Sequence, residues 1–228
     1  MATMVQVKPF QPATRILESI LAPAERRALR WFAAHMPAWV NSDHLTILGI
    51  LAMVGAGFAY WAASREPLAL VIVCVCLALN WFGDSLDGTL ARFRDQQRPR
   101  YGFYVDHVVD AVGALALLGG LALSGYMHPA IAIGLLLAYN LLAMESYLAT
   151  YTMGEFRLTH FLFGPTELRL LLVIGNLYLL YKPMVHLLGR SFRLFDVGGA
   201  IGMAGMLLIF IITAIRNTAK LYHEETRR

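Results

Sequence analysis

Residues 68–92 read LALVIVCVCLALNWFGDSLDGTLAR, and this stretch decides the fold. The part before Gly83 is almost entirely apolar, and the whole stretch is long enough to cross a hydrocarbon core of about 30 Å at about 1.5 Å per residue. The apolar run stops at Gly83, and Asp84 and Asp87 follow it. The stretch therefore predicts a membrane-spanning helix whose last turns carry acidic side chains.

Similar apolar runs occur along the rest of the chain. Of the 228 residues 58% are hydrophobic and 15% are charged, and the mean hydropathy is +0.57. Soluble domains average about 45–50% apolar and about 25% charged residues, so the composition excludes an ordinary soluble domain. We predict an all-α integral membrane protein with six transmembrane helices, at residues 45–63, 68–92, 105–126, 129–151, 168–188 and 197–215.

The chain is predicted to consist of an N-terminal segment, residues 1–40, followed by a six-helix transmembrane catalytic domain, residues 41–228. Within the first segment, residues 14–36 are predicted to form an amphipathic helix on the membrane surface. An ordinary soluble amphipathic helix is the alternative. Three arginines share one face of this helix, Arg26, Arg27 and Arg30, and apolar residues share another, Leu17, Leu21, Ala24, Ala28 and Trp31.

The positive charges predict the orientation. With six spans and the N-terminus inside, fifteen of the 19 Lys and Arg residues fall in inner segments. This bias predicts a multi-pass protein with both termini in the cytoplasm. The net charge of +4 then reflects the excess of Lys and Arg on the inner side, where they contact anionic lipid. No nucleic-acid partner is expected.

Four aspartates lie where the second predicted span ends and the third begins. Asp84 and Asp87 are three residues apart and Asp106 and Asp110 are four apart, so each pair shares one helix face. All four carboxylates are expected to meet at the cytoplasmic side. Acidic side chains at membrane depth are costly and usually functional.

Divalent cations would relieve the repulsion among these carboxylates. Oxygen ligands of this type suit Mg²⁺ or Mn²⁺, which commonly bridge substrate phosphates. Gly88 and Ala91 lie on the same stripe as the first two aspartates and would let a nucleotide approach the helix, with Arg92 as a phosphate contact. Interfacial salt bridges are the alternative, although four acids on matched faces favour a metal–phosphate site.

The same residues resemble the signature of the CDP-alcohol phosphotransferase family, through the pattern Asp84-x2-Asp87-Gly88-x2-Ala91-Arg92-x9-Gly102-x3-Asp106-x3-Asp110. The resemblance implies a Mg²⁺-dependent homodimer with a cytoplasm-facing site. It implies that Asp84, Asp87 and Asp106 hold metal, with Asp110 next to one ion. The nucleotide side would be formed by four residues, Gly88, Ala91, Arg92 and Gly102.

The implied reaction is attack of an alcohol hydroxyl on the phosphorus remote from cytidine, with release of CMP. In much of the family the last aspartate, here Asp110, takes the hydroxyl proton. Members differ in the donor. Some use CDP-diacylglycerol and a soluble alcohol, and others transfer the head group of CDP-choline or CDP-ethanolamine to diacylglycerol.

Two local features favour the second group. His107 follows the third aspartate, as in choline and ethanolamine phosphotransferases, and residues 164–167 (GPTE) resemble another of their segments. In that group, His107 and Glu167 would be candidates for activating the lipid hydroxyl. A CDP-alcohol donor and a diacylglycerol-like acceptor are therefore predicted, with phosphatidyl transfer from CDP-diacylglycerol as the alternative.

Other roles stay open for these residues. His107 could merely support Asp106, and Glu167 could cap the fifth span.

A cation transporter would also place acids in membrane helices, but it predicts polar groups near the midplane and broken helices. Here the acids gather beside an arginine-rich loop at one end.

Overall fold

A computed structural model describes residues 14–16, 21–157, 164–187 and 189–226. Seven helices account for most of these residues: α1 Ala22–His35, α2 Ser42–Ala63, α3 Ala69–Phe93, α4 Pro99–Leu123, α5 Pro129–Met153, α6 Pro165–Leu179 and α7 Leu194–Thr226. Short strands β1 (Thr14–Ile16) and β2 (Glu155–Arg157) pair in parallel. Strands β3 (Met184–Leu187) and β4 (Arg190–Arg193) form an antiparallel hairpin.

Within the described residues, five helices are long and apolar enough to cross a membrane, by length and composition: α2, α3, α4, α5 and α7. The predicted all-α membrane architecture is confirmed, whereas a count of six spans is not. The fifth predicted span, residues 168–188, is wrong in its limits. Helix α6 has 15 residues, about 22 Å at 1.5 Å per residue, and the chain then turns at Pro183, which cannot continue a helix.

Helix starts are specified by local sequence. Proline occupies the first turn of α1, α4, α5 and α6, where its missing N–H costs nothing. Asn41 caps α2 by accepting a hydrogen bond from the backbone N–H of His44 at 3.0 Å, and the His44 ring bonds back to the Asn41 N–H. These caps fix where each helix enters the bundle.

The bundle is built on helix α2, which packs against both α3 and α4. Glycines allow these helices to approach closely. A Cβ placed at Gly83 would lie 2.5 Å from the Leu45 carbonyl oxygen and 2.8 Å from the Gly49 nitrogen. A Cβ at Gly120 would overlap the backbone of Gly57. The close contact at Gly83 holds α3 against α2 directly next to Asp84.

Helix α1 differs from the prediction at both its start and its packing face. It begins at Ala22, one residue before Pro23, and Thr14–Ile16 forms strand β1 instead of helix. Leu17, part of the predicted apolar face, lies outside the described residues. The face that packs against α3 and the start of α2 carries the buried side chains of Ala22, Leu29 and Ala33. Trp31 is 59% exposed.

Candidate active site

The four predicted aspartates come together where α3 ends and α4 begins. Asp84 and Asp87 lie in the last three turns of α3, and Asp106 and Asp110 lie in the first four turns of α4. The carboxyl group of Asp110 interacts electrostatically with all three other aspartates and with Arg169 of α6. The structure therefore places the four acidic groups in one region, as the sequence predicted.

Asp84 pairs with a cation that the sequence analysis did not assign to the site. A guanidinium nitrogen of Arg169 lies 2.5 Å from Asp84 Oδ2, and the two side chains are 16% and 25% exposed. The pair joins the end of α3 to the first turns of α6. Nothing in the local sequence of Arg169 connects it with Asp84, which is 85 positions away in the chain, so the sequence alone does not identify this partner.

Asp87 is held by the first turns of α2. The Thr46 hydroxyl donates to Asp87 Oδ2 at 2.6 Å, and the Ser42 hydroxyl donates to the Asp87 carbonyl at 2.8 Å. The backbone N–H of Gly88 donates to Asp87 Oδ1. Both carboxylate oxygens therefore accept hydrogen bonds, and these bonds fix the orientation of the group.

On α4, Asp106 is half-buried and lies beside His107. The His107 Nδ1 atom is 3.9 Å from Asp106 Oδ2 and 2.5 Å from the Phe103 carbonyl oxygen. Since a carbonyl only accepts, Nδ1 is the donor in this contact. The imidazole packs against the rings of Phe103 and Tyr147, with centroids 4.1 and 4.4 Å away.

Helix α5 covers the side of the site next to α4. The Tyr139 hydroxyl interacts electrostatically with Asp110, Asp84 and Arg169, and that of Tyr147 interacts with Asp110 and Asp106. Neither tyrosine was identified from sequence, because no local motif connects them with the aspartates of α3 and α4. They add phenolic hydrogen-bonding groups to an otherwise acidic site.

The residues predicted for the nucleotide side surround the end of α3. Gly88 faces the Arg92 side chain, since a Cβ at Gly88 would lie 3.3 Å from an Arg92 guanidinium nitrogen. Ala91 lines a cleft of about 410 Å³, together with Asn41, Ser42, Asp43, Leu90, Arg94, Gln96, Gln97 and Arg98. Gly102 is on α4 and does not line this cleft. A Cβ placed at Gly102 would meet no atom within 4 Å.

Glu167 is committed to the backbone at the start of α6. It is 7% exposed; its Oε1 accepts from the Leu21 N–H at 3.1 Å and its Oε2 from the Gly164 N–H at 2.9 Å. The bond from Gly164 is the backbone half of a capping box, since the N-cap glycine has no side chain to bond in return, and it satisfies a backbone donor at the start of the helix. The capping alternative for Glu167 is what the structure describes, and the carboxylate also ties the segment before α1 to α6.

The donor set at this site matches a hard divalent cation in type, because it consists of carboxylate oxygens on adjacent helices. Across residues 14–16, 21–157, 164–187 and 189–226, however, no three Asp, Glu, His or Cys side chains are arranged as a metal cluster. Asp84 turns to Arg169 and Asp87 to Thr46. Because a carboxylate offers about four acceptor positions on its two oxygens, Asp84 and Asp87 could hold an ion while keeping these protein partners.

Comparison with known proteins addresses the family directly. The family model described as "CDP-alcohol phosphatidyltransferase" matches residues 39–215, which is most of the chain and contains all four aspartates. This chain belongs to the CDP-alcohol phosphatidyltransferase family. The resemblance inferred from residues 84–110 is thereby confirmed, and with it the class of enzyme: transferases of substituted phosphate groups in phospholipid biosynthesis.

The fold agrees with a solved CDP-alcohol phosphatidyltransferase. The Mycobacterium tuberculosis phosphatidylinositol phosphate synthase, crystallised with CDP-DAG bound, is 18% identical and superimposes with a TM-score of 0.53. The alignment covers 88% of this chain and 92% of that one. A comparison with curated proteins finds no match.

Proposed function

We propose that this protein transfers a phosphatidyl group from CDP-diacylglycerol to a small polar alcohol and releases CMP. The observation that carries the proposal is the gathering of the four family aspartates at one end of the bundle, beside a polar cleft. The structural neighbour has CDP-DAG bound, which favours this donor over the CDP-alcohol donor predicted from sequence.

The prediction of a CDP-alcohol donor depended on His107 and Glu167, and the hydrogen bonds of Glu167 weaken the argument from that residue. Both oxygens of Glu167 accept backbone hydrogen bonds at the start of α6, so activating a hydroxyl would disrupt these bonds. His107 lies beside Asp106 and continues to support a CDP-alcohol donor. A CDP-alcohol donor therefore stays as the competing outcome of the test below.

The reaction follows from the placement of the charged groups. The cleft lined by Ala91 and Arg94 has the size of a small-molecule site, about 300–1,000 Å³, and would take the cytidine end of the donor. The acceptor oxygen attacks the phosphorus of the phosphatidyl group, and the bond from that phosphorus to the CMP oxygen breaks. Asp110 takes the hydroxyl proton, and CMP leaves with the bonding electrons.

Charge on the phosphates has to be balanced for this step. Asp84, Asp87, Asp106 and Asp110 would hold Mg²⁺ or Mn²⁺, which would supply neutralisation of the developing negative charge. Arg92 and Arg169 add positive charge on either side of the aspartates. Thr46 and Gly88 keep the Asp87 carboxylate oriented.

We also propose the sidedness and assembly expected from the sequence. The aspartates and both termini lie on the cytoplasmic side, residues 41–228 form the catalytic domain, and the enzyme works as a homodimer. The excess of Lys and Arg in inner segments supports the orientation. The dimer follows from the family resemblance, and its mass in detergent after subtraction of bound detergent would test it.

The decisive experiment offers the purified full chain two substrate sets with Mg²⁺ present. One contains CDP-diacylglycerol with glycerol phosphate, serine or inositol phosphate, and the other contains CDP-choline or CDP-ethanolamine with diacylglycerol. We expect CMP release with the first set only. Turnover with the second set alone would establish the competing donor, and no release with either would refute the proposed function.

A further inference from the structure

Glu25 of helix α1 makes an unusual set of contacts on the side of the bundle next to the aspartates. Its Oε1 atom accepts three hydrogen bonds: from Trp81 Nε1 at 2.8 Å, Thr166 Oγ1 at 2.8 Å and Ser85 Oγ at 3.2 Å. Glu25 belongs to the face of α1 that packs on the bundle, one turn from the buried Ala22 and Leu29. These three bonds come from two different helices.

The donors lie next to the residues of the candidate active site. Trp81 and Ser85 are one turn apart on α3, and Asp84 lies between them in sequence. Thr166 is in the first turn of α6, three residues before Arg169. Glu25 therefore connects α3 and α6 close to the place where these helices form the Asp84–Arg169 ion pair.

Other contacts anchor α1 so that Glu25 is held in place. Just before α1, the Leu21 N–H donates to Glu167 of α6. Beyond its end, the Arg94 guanidinium donates to the carbonyls of Met36 and Pro37, each at 3.0 Å, and to that of Val40. Both ends of α1 are thus tied to the helices of the site.

The chemistry at this position suits a carboxylate. All three donors converge on one oxygen atom, and a charged carboxylate oxygen accepts such bonds more strongly than a neutral amide oxygen does. Glutamine at position 25 would keep part of the set of bonds, and alanine would leave three half-buried donors without their acceptor. Such a loss is unfavourable away from bulk water.

We propose that Glu25 is a positioning residue: it holds α3 and α6 in the alignment that lets Arg169 meet Asp84. It touches neither of these side chains and acts through Ser85, Trp81 and Thr166. The inference rests on the proposed function, because it concerns catalysis at the aspartate site. It gives helix α1 a role in turnover in addition to packing.

The test compares kcat and the donor KM of Glu25→Ala, Glu25→Gln and wild type, using the full chain in vesicles with saturating Mg²⁺. We expect Glu25→Ala to lower kcat about tenfold with the donor KM within about threefold, because Trp81, Ser85 and Thr166 do not line the nucleotide cleft. Glu25→Gln should stay within about threefold of wild type. In an Arg169→Gln background, Glu25→Ala should reduce kcat no further.

Glu66→Ala is the matched control, since Glu66 is an exposed acid in the loop between α2 and α3 and should leave kcat unchanged. If Glu25→Ala does not fold, Thr166→Val and Ser85→Ala each remove one donor and should lower kcat about threefold. Wild-type kcat in Glu25→Ala, or in both Thr166→Val and Ser85→Ala, would overturn the proposal. So would a loss of kcat on Glu25→Ala that is equal in the wild-type and Arg169→Gln backgrounds. A wild type that releases no CMP would instead refute the proposed function.

Discussion

At the scale of single residues, the Asp84–Arg169 pair is a half-buried ionic contact in the candidate active site. The Arg169 and Asp84 side chains are 16% and 25% exposed, so solvent screens the pair only partly. Removing one partner leaves a half-buried charge without its counter-ion, which costs about 1–3 kcal/mol. We expect Arg169→Gln to lower the midpoint of thermal unfolding and Asp84→Asn/Arg169→Gln to recover part of the loss.

The Asp43–Arg98 ion pair serves as the control for that measurement. Its side chains are 40% and 51% exposed, and exposed pairs contribute little to stability. Arg98→Gln should leave the unfolding midpoint close to that of wild type. Equal effects of Arg98→Gln and Arg169→Gln would show that burial of the Asp84 pair has no energetic consequence.

Thr46 tests whether Asp87 binds metal. Its hydroxyl donates to Asp87 Oδ2 at 2.6 Å, and groups that orient a metal ligand commonly change metal affinity by about 10–100-fold when removed. We expect Thr46→Val to raise the Mg²⁺ concentration for half-maximal CMP release about tenfold. Thr46→Ser keeps the hydroxyl and should behave like wild type. An unchanged Mg²⁺ requirement in Thr46→Val would argue against Asp87 as a ligand.

At the scale of secondary-structure elements, the crossing of α2 and α4 depends on glycine. A Cβ at Gly120 would overlap the Gly57 backbone, whereas a Cβ at the adjacent Gly119 meets nothing within 4 Å. We expect Gly120→Ala to force the helices apart and to reduce the yield of folded protein sharply, measured by size-exclusion chromatography. Gly119→Ala should be neutral or slightly stabilising, because alanine favours helix by about 1 kcal/mol over glycine.

Helix α6 provides a second test at this scale, because Glu167 is both a sequence-based catalytic candidate and the cap of this helix. The two backbone hydrogen bonds of Glu167 predict that Glu167→Ala, which leaves their donors unpaired, lowers stability by about 1–3 kcal/mol. Glu167→Gln can still accept one backbone bond, and we expect it to retain at least half of wild-type kcat. Loss of kcat by more than about a hundredfold in a folded Glu167→Gln enzyme would restore the catalytic role.

The same elements show what the sequence could predict. Helices α2 to α5 and the convergence of the four aspartates were predictable, since long apolar runs and helical spacing are local signals. The end of α6, the strand Thr14–Ile16 and the partners Arg169 and Glu25 were not. Each of these depends on contacts between distant parts of the chain, such as Arg169 with Asp84 across 85 positions.

At the scale of the whole molecule, the orientation in the membrane determines which substrates reach the site. The loop between α3 and α4 and the first turn of α4 carry Arg94, Arg98 and Arg100, whereas the loop between α2 and α3 carries Arg65 and Glu66. The positive-inside rule predicts that the first of these loops is cytoplasmic. CDP esters would then meet the aspartates from the side on which soluble nucleotides are available.

Cysteine labelling tests this orientation, because both native cysteines, Cys74 and Cys76, lie within α3 and can be replaced by alanine. Gln97 and Glu66 are exposed in the two loops, so Gln97→Cys and Glu66→Cys report opposite sides. In intact cells, a membrane-impermeant maleimide should label only Glu66→Cys, and permeabilisation should expose Gln97→Cys. The reverse pattern would place the aspartates on the outer side and separate them from cytoplasmic nucleotide, which the proposed reaction could not tolerate.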